Sequence, residues 1–495
     1  GGFRGWGANC VKKSAIWHPF PLVWFGYLNK LKNVSCNTLR NFYMVRRIIS
    51  ISLALIGLLV GAGFATGQET IQYFISFGSN GIWGAIIAGT VIGIGGMVIL
   101  QLGSYYMADE HQEVYNSIAH KWVSRFMDIA TMITLFALGF VMLAGAGSTL
   151  EQQFGWPAWV GSTIMLILVL ATGFLDIDRV SKVIGAITPL IIIAVIIAFV
   201  YVMTNLPEDL STVEAQATAL EPAMSNWFLS SINYAGLCLI LAASMVLVIG
   251  GSFLSPREAG LGGLVGGICY TILLLMMVVM MYFGVEMIAD AEVPTLKIFD
   301  QIAPWMALVV VWIIYAMIYN TCIGMFYALG RRLAAGKQSK FRPYFFAATL
   351  VGFAVSFVGF SDLMGIMYPI LGYLGLVLIA VMVFAYLKDR KLISAEAERR
   401  VRIRSLFTQQ HHPDEKFTRK DEREVKELLA ESVANDSNLR QTVLTEVVEE
   451  LVNDDEVPLD GDVEEIVEEI LDESTEATLA TETEANTNEE ESPKN

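Results

Sequence analysis

A long apolar stretch near the start of the chain is interrupted at its centre. About 20 apolar helical residues cross a bilayer core, and unpaired backbone is tolerated at that depth only inside the protein or beside a wet cavity. The stretch over residues 48–77 therefore predicts a membrane helix broken at mid-membrane, where free backbone groups can hold a solute or an ion. The interrupting residues are Gly61, Gly63, Gly67, Gln68 and Glu69.

Composition places the chain among membrane proteins with several spans. Hydrophobic residues make up 54% of the 495 positions, the mean hydropathy is +0.53, and only 17% of the residues are charged. This balance excludes an ordinary soluble enzyme and predicts the lipid bilayer as a partner. No nucleotide-binding or catalytic motif is present, so we predict neither an enzyme, nor ATP-driven transport, nor a nucleic-acid partner.

The first 43 residues lack the pattern of the rest of the chain. They begin with glycine, show no helical or strand periodicity, and end before Met44, which is followed by a valine and two arginines. We interpret residues 1–43 as upstream or non-native sequence. A native amphipathic arm or targeting segment is the alternative.

Ten apolar runs alternate with charged or proline-bearing connections. Each run is long enough to cross a bilayer as a helix, and an even number of spans puts both ends of the chain on one side. The predicted spans are 48–76, 81–106, 127–150, 157–176, 180–204, 226–252, 261–288, 303–329, 341–360 and 364–387.

Positive charge is distributed unequally between the two sides of these spans. Fifteen lysines and arginines lie at the two ends and in the even-numbered connections, against Lys297 alone in the others. Cytoplasmic connections carry such an excess, so we predict a multi-pass protein of the cytoplasmic membrane with both termini in the cytoplasm. The fifteen are Arg46, Arg47, Lys121, Arg125, Arg179, Lys182, Arg257, Arg331, Arg332, Lys337, Lys340, Arg342, Lys388, Arg390 and Lys391.

The spans repeat at a fixed offset. Adding 180 to the first five predicted spans places them over the last five within a few residues. Five is an odd number, so the second copy enters the membrane from the opposite side and the repeats have inverted topology. We predict a first five-helix repeat over 44–204, an outer loop over 205–225 and a second five-helix repeat over 226–390.

Two segments resemble a known family. The run Val60-Gly-Ala-Gly-Phe-Ala-Thr-Gly-Gln-Glu69 and the segment Tyr368-Pro-Ile-Leu-Gly-Tyr-Leu-Gly are similar to those of the YkvI-like bacterial membrane proteins, of the amino acid, polyamine and organocation superfamily. The resemblance covers Met44 to about Arg390. It implies the leucine-transporter fold, which is all-α, with ten transmembrane helices in two inverted five-helix repeats and with the first and sixth helices broken.

The same resemblance implies a candidate sodium site. The stretch Gly-Leu-Leu-Val-Gly-Ala-Gly that begins at Gly57 is similar to the span-one signature of sodium symporters, in which the carbonyls at Gly57 and Val60 would face the ion. Span eight would add Met317, Asn320 and Thr321, at i, i+3 and i+4 on one helical face. Such oxygens suit a hard cation. Asn320 departs from the hydroxyl residue usual there, and hydrogen bonding between helices is the alternative role.

A candidate solute site lies at the break. Glu69 is ionisable, which is costly inside a membrane unless the side chain faces a cavity or a partner. Three roles remain open for it: a cap on the second half-helix or a contact at the outer interface, a relay for a proton or cation, and a contact to a substrate amine. The predicted lining in span one is Gly61, Ala62, Gly63, Phe64, Thr66, Gln68 and Glu69.

Span six is expected to contribute to the same site. The offset of 180 projects the break onto residues 241–247, where Ala242, Ala243 and Ser244 are small enough for a backbone to approach a ligand. No glycine or proline lies in that segment. The break that the fold implies there thus has no sequence signal of its own.

The sequence changes character after Arg390. Residues 391–495 begin basic and become acidic, and residues 441–495 hold 20 Asp and Glu against Lys494 within a chain of net charge −16. We predict a largely disordered cytoplasmic tail. Docking on a cytoplasmic partner is left open for four apolar residues at helical spacing, Val443, Val447, Val448 and Leu451.

Two classes of function follow. The first is a secondary active transporter of a small organic solute, an amino acid or related zwitterion, because half-helix ends suit a carboxylate and an ammonium; sodium or protons would be the coupling ion. The second is a non-transporting sensor or scaffold that signals through the acidic tail. Apart from sodium no cofactor is expected, and solvated loop positions are predicted for His111, His120, His411 and His412.

Overall fold

The part of the chain that the computed structural model describes is helical and contains no β-strand. The described residues are 36–108, 110–173, 187–207, 209–334, 338–411, 416–452, 463 and 465–471. Residues 1–35 lie outside this part, so the interpretation of residues 1–43 stays a prediction. Residues 36–43 of that segment form the start of the first helix.

Span one is broken, as the glycines predict. Its three helices are α1 (Cys36–Leu59), α2 (Ala62–Thr66) and α3 (Gln68–Tyr73), and a 3₁₀ turn over Ile75–Phe77 follows them. The polypeptide leaves helical geometry at Gly61, which is extended, and again at Gly67, which has φ 82°. Positive φ is accessible to glycine without steric cost.

The rest of the first repeat follows in sequence order. Its helices are α4 (Asn80–Tyr106), α5 (His111–Ile118), α6 (Lys121–Phe154), α7 (Ala158–Thr172) and α8 (Ile187–Thr204). The connection between predicted spans four and five, with Arg179 and Lys182, lies outside the described residues.

The outer loop contains one short helix, α9 (Leu210–Thr218). The second repeat comprises α10 (Trp227–Gly251), α11 (Pro256–Phe283), α12 (Val285–Ile288), α13 (Pro294–Ile302), α14 (Pro304–Ala334), α15 (Gln338–Val355) and α16 (Phe360–His411). Within the described ranges, eight helices are long and apolar enough to cross a membrane. The two further predicted spans correspond to the broken α1–α3 and to α7, which has 15 residues.

Helix boundaries repeat at the predicted offset. Adding 180 to α6 gives 301–334, against Pro304–Ala334 for α14, and adding 180 to α7 gives 338–352, against Gln338–Val355 for α15. Packing divides the spans into two groups. In group one α4 packs on α10 and α11, and α1 packs on α11; in group two α6 packs on α7 and α14, and α14 packs on α15.

The expected break in span six is absent. The helix α10 is continuous from Trp227 to Gly251 and runs through residues 241–247. Two of those residues are alanines, the best helix former, and the segment lacks the glycines that interrupt span one. Internal repetition thus extends to the number and packing of helices, and not to this local feature.

The tail also differs from the expectation of disorder over its described part. Residues 391–411 continue α16, and α17 (Arg419–Ala430) and α18 (Asp436–Val452) fold back against it. Their apolar residues form a second buried cluster. Burial of apolar surface explains why this segment is helical despite its many charges. The final acidic residues, from 472 onward, lie outside the described part of the chain.

Candidate functional site

The break removes several carbonyls from the helical ladder, because no described backbone amide donates to those of Gly57, Leu58 and Val60. The amide of Gly61 donates to the carbonyl of Leu59 at 3.0 Å, and not to the carbonyl of Gly57 four residues back. The amide of Gly67 donates to Gly63 at 3.3 Å and closes the short helix α2. A Cβ at Gly67 would overlap the side chains of Met281 and Thr295, so both its dihedral angle and its surroundings require glycine.

The turn at Gly67 folds Glu69 back over α2. The carboxylate of Glu69 lies against the Cα of Gly63, and a Cβ on Gly63 would overlap it. Glu69 is only 7% exposed. Within the described part of the chain, no lysine, arginine or histidine forms an ion pair with it. A buried carboxylate without a cation is costly when it is charged.

Hydroxyl groups surround this carboxylate. Tyr234 of α10 donates to Oε2 of Glu69 at 3.4 Å, and the hydroxyls of Tyr234 and Tyr270 lie 2.9 Å apart. The hydroxyl of Tyr368 on α16 faces the same carboxylate and has no hydrogen bond of ordinary geometry. The thiol of Cys238 lies 3.8 Å from the hydroxyl of Tyr270, at the end of this row of polar groups. Glu69 thus faces groups that can donate or accept a proton without carrying a charge.

A second polar chain fixes α3 between α10 and α16. Tyr73 donates to Oδ1 of Asn233 at 3.0 Å, and Nδ2 of Asn233 donates to the carbonyl of Pro369 at 2.9 Å. The hydroxyl of Ser230 donates to the carbonyl of Tyr73 at 2.9 Å. Tyr73, Ser230, Asn233 and Pro369 lie on helices that meet on the α3 side of the break. Satisfied buried hydrogen bonds of this kind fix one arrangement of the helices.

Several buried polar atoms at the break have no hydrogen-bond partner. Gln68 and Gln72 lie on one face of α3, and their Nε2 atoms donate to Ser361 at 3.0 and 3.2 Å, to its hydroxyl and its carbonyl. Buried polar atoms in folded proteins are normally paired, so such a cluster indicates a site for polar groups. The unpaired atoms are Oε1 of Gln68 and Gln72 and the hydroxyls of Thr70, Thr295 and Tyr368.

The other span-one residues of the predicted lining have different surroundings. Ala62 and Phe64 are buried, and the Phe64 ring lies 5.9 Å from that of Tyr270. Thr66 is fully buried, and its hydroxyl donates to the carbonyl of Gly63 at 2.9 Å, so it closes α2. Gly61 is half-buried and has no atom within 4 Å of a Cβ position, which leaves open space on that side of the break.

Span six reaches the break through residues other than the predicted ones. Ala242 and Ala243 are buried in α10, and the hydroxyl of Ser244 lies 2.8 Å from Nδ1 of His111 on α5. Ser244 follows Tyr234 by ten residues, which is about 15 Å along a helix. The expectation for Ser244 is therefore wrong, because the uninterrupted α10 presents Tyr234 to Glu69 instead. The available sequence signal was a tyrosine or asparagine within an otherwise apolar span.

The candidate sodium site stays a prediction, because the described contacts link its residues only within α14. The hydroxyl of Thr321 donates to the carbonyl of Met317 at 3.1 Å. Asn320 is exposed, and Gly57 has no atom within 4 Å of a Cβ position. Val60 is buried at the break. The donor set contains oxygens that suit sodium, and α14 packs on α2, but the described contacts do not join Thr321 or Met317 to Gly57 or Val60.

A further polar cluster lies at the ends of the helices that α5 connects. His111 is half-buried, and its ring packs edge-on against Tyr115 at 5.3 Å. An ion pair between Arg332 and Asp128 lies near it. Burial and the nearby Arg332 lower the pKa of His111 to about 4, against an opposing effect of Asp128. The expectation that His111 is solvated is wrong, because α5 folds onto α10.

Two proteins of Bacillus subtilis (strain 168) are similar to this chain. The uncharacterized membrane protein YkvI is 25% identical over 329 residues, covering 66% of this chain and 92% of YkvI. The uncharacterized protein YyaD is 24% identical over 330 residues, covering 66% of this chain and 93% of YyaD. No family model matches the chain. These similarities confirm the resemblance to YkvI-like membrane proteins.

Two solved structures resemble the fold. The inward-facing conformation of Mhp1 gives a TM-score of 0.50 at 13% identity and covers 69% of this chain and 77% of that one. The structure of MhsT in complex with L-phenylalanine gives a TM-score of 0.50 at 13% identity and covers 76% of this chain and 94% of that one. At these identities the likeness concerns the fold alone. It confirms an all-α polytopic membrane protein of the leucine-transporter fold.

Proposed function

We propose that this protein is a secondary active transporter of a small organic solute, with its solute site at the break between α1 and α3. One observation carries the proposal: the break places a buried carboxylate and a set of unpaired polar atoms inside an otherwise apolar helical domain. Ionisable and unpaired groups at membrane depth are costly and mark solute or ion pathways. Broken helices near the bilayer midplane serve that purpose in transporters.

The chemistry of the site favours an amino acid or related zwitterion. Glu69 and the amide oxygens of Gln68 and Gln72 accept hydrogen bonds, as an ammonium group requires, while the unpaired hydroxyls of Thr70 and Thr295 can donate to a carboxylate. An anionic solute without an amine would meet no positive side chain here. The L-phenylalanine bound by MhsT, which shares the fold, supports the same class.

For the coupling ion, the geometry favours a proton at Glu69. The carboxylate is buried, lacks a cationic partner and contacts only neutral groups, so its charged form is disfavoured until a proton or the solute arrives. A sodium ion held by Gly57, Val60, Met317, Asn320 and Thr321 remains the alternative, and would draw on carbonyl, amide and hydroxyl oxygens. We further propose that both termini are cytoplasmic, from the charge asymmetry of the loops.

Uptake into proteoliposomes tests the proposal. Purified protein would be reconstituted with a pH gradient, a sodium gradient or neither, and a panel of labelled amino acids, amines and carboxylates would be offered. We expect accumulation of a zwitterionic amino acid that follows the pH gradient and is absent from protein-free vesicles. Uptake of none of the panel under any gradient would contradict the proposal.

A second candidate function is favoured by the docked tail. The helices α17 and α18 pack against the ends of the spans at Met107 and Leu254, which is the arrangement that a non-transporting sensor or scaffold needs to pass a signal to a cytoplasmic partner. Such a protein would bind a solute without moving it. Binding seen as thermal stabilisation by a solute, together with no uptake of that solute, would favour this second function.

A further inference from the structure

The cytoplasmic tail is anchored by a buried arginine. Arg400 has no exposed surface and donates to the carbonyls of Ser104, Tyr105 and Leu254 at 2.7, 2.8 and 3.2 Å. Its Nε bonds Glu396, which is also fully buried, at 2.9 Å. The first two carbonyls lie at the C-terminal end of α4, where helix carbonyls lack intrahelical donors, and that of Leu254 lies in the connection between α10 and α11. Because a buried charge needs all of these partners, the tail has one specific docked position.

Apolar side chains of the tail also pack against the ends of the spanning helices. Met107 and Leu254, at the cytoplasmic ends of two spans, belong to the same buried cluster as the tail residues. The cluster excludes water from a surface between the spanning helices and α18. Its tail members are Ile403, Leu406, Phe407, Val425, Leu429, Ala434, Leu439, Val443, Leu444, Val447, Val448, Leu451 and Val467.

Charges on α18 hold the cytoplasmic end of α1. Oε2 of Glu446 lies 2.9 Å from Arg47, and Oε1 of the same residue accepts the amide of Leu254 at 3.1 Å. Glu449 pairs with Arg46 at 3.3 Å, half exposed. Arg47 and Glu446 are each about one-tenth exposed, so their ion pair is screened little by solvent.

The two halves of span one are separate helices, α1 on the inner side and α2–α3 on the outer side. The chain leaves helical geometry at Gly61, and no atom lies within 4 Å of a Cβ position on Gly57 or Gly61. α1 is therefore free on one side along its last turn, packs on α10 and α11 of group one, and is tied at its cytoplasmic end to α18.

We propose that α18 is a clasp that restrains the inner half of α1, so that the folded tail keeps the cytoplasmic end of the spanning domain closed. Release of α18 lets α1 move at the break and opens a path from the break to the cytoplasm. The acidic tail thereby sets the rate at which the inner side opens. Only the transport consequence of this clasp rests on the proposed function; the movement of α1 does not.

A distance measurement tests the clasp without any solute. Spin labels at Val45→Cys on α1 and Leu333→Cys on α14, both exposed, report the separation of the two groups in a background whose five native cysteines are replaced by alanine. In the Glu446→Gln, Glu449→Gln double variant we expect the ratio of long to short distances to rise about five-fold, as for the loss of ~1 kcal/mol. A distribution unchanged from the parent would overturn the clasp.

Two further variants separate a clasp from general damage. Glu424→Gln breaks an ion pair with Arg402 that joins α17 to α16 and does not reach α1, and we expect it to leave the distances unchanged. Arg46→Glu should lengthen them, and the added reversal Glu449→Arg should restore the parent distribution, because the pair is rebuilt. Failure of this rescue would also count against the proposal. An unrestrained α1 together with no uptake of any solute would reject the proposed function and keep the clasp.

Discussion

The carboxylate of Glu69 rests against the Cα of Gly63, across the turn that Gly67 makes in span one. This contact depends on glycine at position 63, because a side chain there would displace the carboxylate from the space that it occupies. It also explains how two residues six positions apart on a broken helix define one site. The buried carboxylate and the backbone of the break face the same hydroxyls.

Replacing Gly63 by alanine should displace Glu69 from Tyr234. The added methyl group overlaps the carboxylate, and overpacking of this kind costs about 1–3 kcal/mol. We expect uptake to fall at least about ten-fold while the protein remains in the membrane. Gly324→Ala is the matched control, since nothing lies within 4 Å of its Cβ position. Equal uptake by the two variants would show that the contact has no functional role.

Replacing Glu69 by glutamine should uncouple transport from the pH gradient. The amide keeps the shape and the hydrogen bond with Tyr234 but cannot take up a proton. We expect gradient-driven accumulation to be lost while exchange of labelled for unlabelled solute persists. Glu286→Gln, at an exposed outer carboxylate, should retain accumulation. Accumulation that still follows the pH gradient in Glu69→Gln would exclude this residue as the proton carrier.

The fold could be predicted because its sequence signals extend over whole spans and do not depend on the position of single side chains. Hydropathy marks the spans, the offset of 180 marks the repeats, and three glycines mark the break in span one. Glu69 was identifiable as the ionisable residue in that span. Each of these signals depends on residue type along the chain and not on which face of a helix a residue occupies.

The other residues of the site depend on how each helix is rotated about its axis and on which helices pack together. Local sequence patterns do not show either. α10 is apolar on every side, so no periodicity shows that Tyr234 and Asn233 face α3. The break in span one has no counterpart at residues 241–247, because alanines keep α10 helical. The charge of the tail predicts disorder, yet Arg400 and Glu446 bond to Leu254, more than 140 residues away in sequence.

Replacing Thr321 by valine should discriminate between the two coupling ions. Valine keeps the shape but removes the hydroxyl that bonds Met317. With a proton at Glu69 as the coupled ion, we expect uptake to be independent of sodium and unchanged by the substitution. The control Thr163→Val removes an equivalent bond, from Thr163 to Trp159, on another helix. A roughly ten-fold rise in the sodium concentration for half-maximal uptake, seen only in Thr321→Val, would establish the cation site instead.

Both ends of the chain should lie in the cytoplasm. The acidic helix α18 pairs with Arg46 and Arg47 at one end of α1, which puts the tail on the arginine-rich side of the spans. A phosphatase that is active only outside the membrane, fused after Asn495, should be inactive, and a fluorescent reporter at the same site should fluoresce. Fusion after Arg390 would interrupt α16. Phosphatase activity at Asn495 would refute the topology.

Acidification should destabilise the cytoplasmic side through His111. Burial and Arg332 lower the pKa of His111 from 6.5 to about 4, so the folded protein holds the neutral ring that bonds Ser244. The unfolded chain takes up a proton below pH 6.5 and the folded protein does not until about pH 4. The stability that neutral His111 contributes is therefore complete above pH 6.5 and is lost as the pH falls towards 4.

Thermal unfolding in detergent from pH 7.5 to about 4.5 measures this effect. His111→Asn removes the titrating ring, so we expect its melting temperature to fall less steeply with pH than that of the parent. His120→Asn changes an exposed histidine of the same connection and should reproduce the parent slope. Parallel curves for the parent and His111→Asn would show that His111 is not titrated on unfolding, and that its bond to Ser244 does not contribute to the pH dependence.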